Sequence, residues 1–68
     1  MKIAETLYNQ DGETAEIRMA ENGQTCVCVY DTDYIGDGLR INERRYYTSD
    51  DIDIVISGMY KHGWRREK

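Results

Sequence analysis

Few of the 68 residues combine a reactive type with a spacing that chemistry can use. Cys26 and Cys28 are the two cysteines. On a strand, side chains two apart project to the same side several ångström from each other, so these thiols cannot comfortably form a disulfide and read as buried structural groups. Zinc takes about four ligands, and His62 is the single further soft candidate. Asp31, Asp33, Gly36 and Asp37 echo a calcium loop, but Ile35 stands where an oxygen ligand belongs and Asn42 where a bidentate glutamate does. A turn-forming acidic loop is the better account. Arg44-Arg45-Tyr46-Tyr47 and Trp64-Arg65-Arg66 interleave cations with aromatics as single-strand binders do, yet Asp50, Asp51 and Asp53 follow and oppose a phosphate. Glu16 and Asp31 are the one imaginable carboxylate pair, and nothing in the pattern builds a cleft between them. No serine neighbours a base and no glycine-rich run cradles a phosphate. The reading is a non-enzyme with no cofactor and no metal.

The elements that position these residues must come from a very small core. A chain of this length holds one domain, 1–68, and buries only about 60% of the surface it exposes when unfolded, so its work is done on the surface. Nine basic against thirteen acidic side chains give a net charge of -4, which disfavours direct nucleic-acid binding and steers the protein toward a basic partner. There is no signal-peptide pattern after Met1 and no apolar run near about 18 residues, so the expectation is a soluble, cytoplasmic protein away from membranes. Six Tyr without a single Phe is an odd choice for packing, because each buried hydroxyl needs a partner, whereas Tyr suits surfaces buried on binding. Tyr30, Tyr34, Tyr46 and Tyr60 therefore read as rim or interface residues, and Tyr47 as a hydrophobic staple over Ile52.

Strands are predicted over about 2–8, 14–21, 24–31 and 39–46, and a helix over about 49–62. Gln10-Asp11-Gly12 reads as a three-residue hairpin loop with Gly12 in the left-handed region, which puts Ile3 and Leu7 on the side of Ile17 and Met19 and brings Glu5 there too. Asn22-Gly23 reads as a two-residue turn pairing Met19 with Cys26, Ile17 with Cys28 and Ala15 with Tyr30. That register turns Ala15, Ile17, Met19, Cys26, Cys28 and Tyr30 inward and leaves Glu16, Arg18, Val27 and Val29 on the solvent side. A loop from about Thr32 to Gly38 leads into the fourth strand, whose Leu39 and Ile41 join the core. Ile52, Val55, Ile56 and Met59 then fall on one helical stripe, capped by Thr48 or Ser49 and closed by Gly63, with Trp64 folding back on Met59. The fold class is α+β: a four-stranded antiparallel meander followed by one C-terminal helix packed on one face. A single helix covers one side of a sheet, so the other stays open to water or a partner.

With these elements in place the chain resembles the small type I-F anti-CRISPR inhibitors, built as four antiparallel strands followed by a helical segment. The similarity starts at Met1-Lys2 and runs through Glu21-Asn22-Gly23 and Asp31 to Arg44, Tyr46, Ser49, Ile52, Gly58 and Met59, with a two-residue length difference near Gly36. The resemblance implies a non-catalytic protein that binds the backbone subunit of the Cascade-like (Csy) surveillance complex along its crRNA channel and blocks hybridisation to target DNA in the bacterial cytoplasm. It implies contacts at the positions of Thr6, Ala20 and Asp31, of which the acid is kept, with Tyr8 and Tyr30 the nearest aromatics. The expected partner-binding set is therefore Thr6, Tyr8, Glu16, Arg18, Ala20, Val27, Val29, Tyr30, Asp31 and Asp33, in a protein that acts as a monomer. The alternative is an accessory protein of a phage or mobile element that binds another host protein or homodimerises through a sheet edge.

Overall fold

A computed structural model describes residues 2–35 and 38–67; at 2, 32–35, 39 and 40 the description covers the backbone alone. The elements are β1 (Lys2–Tyr8), β2 (Thr14–Met19), β3 (Thr25–Ile35), β4 (Gly38–Thr48) and α1 (Ile52–Lys61). The strands form one antiparallel sheet in the order β1-β2-β3-β4, and the helix follows, as the alternation and the change of period dictate.

The first hairpin closes as expected. Gly12 sits at φ 81°, Asn9 pairs with Glu13, and the Asn9 Oδ1 accepts from the backbone N–H of Asp11 and Glu13, which locks a three-residue loop. Leu7 then faces Ala15 and Glu5 faces Ile17, but the register shifts between Ile3 and Glu5, and the bulge rotates Ile3 to the side of Arg18. Ile3 is left 43% exposed instead of joining the core.

The second hairpin overturns the expected register. Gly23 donates to the Ala20 carbonyl and Ala20 pairs with Gln24, so the loop is Glu21-Asn22-Gly23, a type I turn followed by Gly23 at φ 84°. One extra loop residue shifts the pairing by one: Arg18 faces Cys26, Ile17 faces Val27, Glu16 faces Cys28 and Ala15 faces Val29. Because side chains alternate, this slip exchanges the faces of the third strand. Val27 and Val29 join Ala15 and Ile17, while Cys26, Cys28 and Tyr30 join Arg18 and Glu16.

Downstream, β3 runs to Ile35 and β4 begins at Gly38, so the expected loop from Thr32 is instead a ribbon of two strands; residues 36 and 37 lie outside the described residues. Ile41 is 65% exposed on that ribbon and takes no part in the core. The Leu39 side chain lies outside the described residues. The helix starts later than its polar prelude suggested. Thr48 remains in β4 opposite Thr25, and the Thr25 hydroxyl donates to the Asp50 carbonyl at 2.7 Å, holding the corner open until Asp51, which caps without a side-chain bond. At the other end Gly63 donates to the Tyr60 carbonyl and Trp64 to that of Met59, the paired bonds of a Schellman ending.

The helix lies over β2 and buries none of its own residues completely. Leu7, Ala15, Ile17 and Val29 make the core beneath it, with Thr25 at one end.

Candidate functional site

The sheet face turned away from the helix carries three cross-strand rows. One runs Ile3, Arg18, Cys26, Tyr47; the next Thr6, Glu16, Cys28, Arg45; the third Tyr8, Thr14, Tyr30, Glu43. Neighbours across a ladder stand about 4.5–5.5 Å apart at Cβ, so each row is a line of interacting side chains. Glu16 is its hub. It bonds the Arg18 guanidinium and its charge acts on the Tyr30 hydroxyl, while Arg45 Nε bonds Glu43 at 2.7 Å.

These pairs set the electrostatics. Desolvation first, and then the neighbouring Glu16 carboxylate, pushes the Tyr30 hydroxyl up to about 12. The Glu16 carboxylate raises the Arg18 guanidinium and the Glu43 carboxylate raises that of Arg45, so both cations are held firmly charged. Cys26 and Cys28 form the floor, fully buried and with their sulfurs 3.7 Å apart, under the long side chains of their cross-strand neighbours. Desolvation raises the Cys28 thiol, which keeps it protonated and unreactive at neutral pH. Such a surface offers matched charges and tyrosine hydroxyls on a regular lattice, the equipment of recognition.

Of the expected contact residues, Thr6, Tyr8, Glu16, Arg18 and Tyr30 come together here. Ala20 lies in the second turn. Val27 and Val29 do not share the face: they point to the helix side, Val29 is 6% exposed, and both line an open groove of about 710 Å³ with Tyr46, Val55, Met59 and Trp64. The one-residue register shift is the physical reason. Asp31 falls on their side as well, half-buried, with Oδ1 shut from solvent and no hydrogen-bond partner, and Asp33 stands opposite Arg40 with its side chain outside the described residues. Both acids sit past the last β2 pair, Thr14 with Tyr30, where β3 and β4 continue as a two-stranded ribbon.

Other expected roles also move. Tyr47 is 54% exposed on the open face and does not staple Ile52, while Tyr46 is 52% exposed on the helix side. Asp31 and Asp33 lie in a strand, not a calcium-type loop, and no metal-ligating group of three is found among the described residues. Arg45 and Tyr47 are the surface residues that sequence reasoning placed elsewhere; their alternation with Arg44 and Tyr46 along β4 was the available signal. No helix among the described residues is long and apolar enough to cross a membrane.

Comparisons with known proteins return no matching family, no matching curated protein and no matching solved structure.

Proposed function

We propose that this chain is a non-enzymatic inhibitor that docks on the backbone subunit of a CRISPR surveillance complex and prevents target DNA from binding. The observation that carries a docking role is the sheet face opposite the helix, which no other described element covers and which presents the bonded pair Glu16 and Arg18 beside Tyr30. The CRISPR target is drawn from the sequence resemblance, and the net charge of -4 suits a basic groove that normally holds nucleic acid. Thr6, Tyr8, Glu16, Arg18 and Tyr30 form the contact surface, with Arg45 and Tyr47 extending it across β4. Asp31 lies on the helix side with Val27 and Val29 and does not join this surface, and the Asp33 side chain lies outside the described residues. Val27 and Val29 support the helix groove and leave the contact set.

The test is co-elution of the purified chain with a type I-F surveillance complex, together with phage plaquing on immune cells that express it. Wild type co-elutes and restores plaquing, Arg18→Glu and Tyr30→Ala lose both, and Ile54→Lys, on the exposed side of the helix, behaves as wild type. A wild-type chain that neither co-elutes nor restores plaquing ends the proposal.

A further inference from the structure

We propose that two copies of this chain associate through their β4 edges, the strands running antiparallel about a two-fold axis normal to the sheet at Arg44. The two edges of the sheet are built differently. β1 is bulged between Ile3 and Glu5, and the C-terminal segment covers its end: Tyr8 and Arg65 exchange backbone hydrogen bonds of 2.7 Å, and Arg66 pairs with Glu5 at 3.3 Å. These are devices that protect an edge. β4 carries none of that cover. Its eleven residues pair with β3 without a register shift, and no described strand lies along its outer side. Ile41, Tyr46 and Tyr47, at 65%, 52% and 54% exposure, all stand on it.

The register follows from self-complementarity. A continuous sheet with both helices on one side requires facing residues of equal parity along the strand. Centring on Arg44 sets Glu43 against the second copy's Arg45 and Ile41 against its Tyr47, each contact made twice and all on the open face. Centring on Glu43 instead turns Ile41 against the second copy's Arg45, and centring on Arg45 turns Tyr47 against its Glu43, so an apolar or aromatic side chain faces a charge and the opposite-charge pairs are lost. The Arg44 side chains meet on the helix side, where each is bonded to Glu13 of its own chain.

Sedimentation or light scattering on the full chain over a wide concentration range tests this, with circular dichroism confirming the fold of each variant. The expected result is a particle of twice 8.0 kDa. Arg45→Glu sets like charges opposite Glu43 and weakens association about tenfold. The double variant E43R/R45E restores it, because the swapped charges again oppose one another. Ile41→Lys, at a side chain too exposed to matter to the fold of one copy, weakens it independently and decides the matter if Arg45→Glu fails to fold. A mass of 8.0 kDa at every concentration, a dimer indifferent to these changes, or a double variant that fails to regain association each overturns the proposal. The result is independent of whether a CRISPR complex is bound.

Discussion

The two faces of this sheet bury side chains equally deeply by opposite means. On the helix side Leu7, Ala15 and Ile17 reach zero exposure because apolar groups from several elements close over them. On the open side Cys26 and Cys28 reach zero exposure with no second layer above among the described residues, under the stems of charged and aromatic neighbours two strands wide. A buried residue in a thin protein is therefore no guide to which face holds the core. The helix side draws its stability from apolar area, the open side from pairing of polar groups whose net worth is small.

The sharpest way to break that contrast is to delete one buried group from each side. Ile17→Ala on the helix side should cost roughly 2–5 kcal/mol. For 68 residues the whole stability is about 3–10 kcal/mol, so the variant should be largely unfolded or show a much lower urea midpoint. Cys28→Ala removes one sulfur from under flexible side chains that can settle into the space, and should cost about 1 kcal/mol. Full burial governs access: a thiol reagent should label both cysteines slowly in the native state and rapidly in urea. Equal losses from the two substitutions, or native labelling as fast as unfolded, would erase the distinction.

How much of this was legible in the sequence turns on two loops. Gln10-Asp11-Gly12 was readable because a two-residue alternative throws Leu7 outward, and hydrophobicity rejects that register. Asn22-Gly23 offered no such veto. Either register buries something acceptable, two thiols or two valines, so the strong hairpin preference of Asn-Gly won the argument and moved Val27 and Val29 to the wrong side. The deciding signal was the likeness of the loops themselves. Gln10-Asp11-Gly12 and Glu21-Asn22-Gly23 share the order polar, Asx, Gly, and both close as a turn ending in a left-handed glycine. The bulge that displaced Ile3 and the extension of β3 past Thr32 have no comparable mark, since both are set by tertiary pairing. The open face itself was legible from the count of elements, because one helix of ten residues cannot cover both sides of four strands.

The smallest effect probes the open face alone. Folded Tyr30 keeps its proton to about 12, whereas an unfolded tyrosine releases it near about 10. Between those values the folded state binds the extra proton, so Tyr30 contributes stability fully below the lower value and loses it as pH rises through the window. Alkaline absorbance should show a late-titrating hydroxyl that Tyr30→Phe removes. Glu16→Gln deletes the carboxylate that holds both Tyr30 and Arg18. Because desolvation is the larger cause and the carboxylate the second, the variant should move the late titration down only part of the way toward the ordinary value. At neutral pH its cost should be a few tenths of a kcal/mol to about 1, as for other partly exposed pairs. A titration unchanged by Glu16→Gln would mean that the rows of the open face do not interact, and the polar side of the sheet would then be held by its backbone ladder alone.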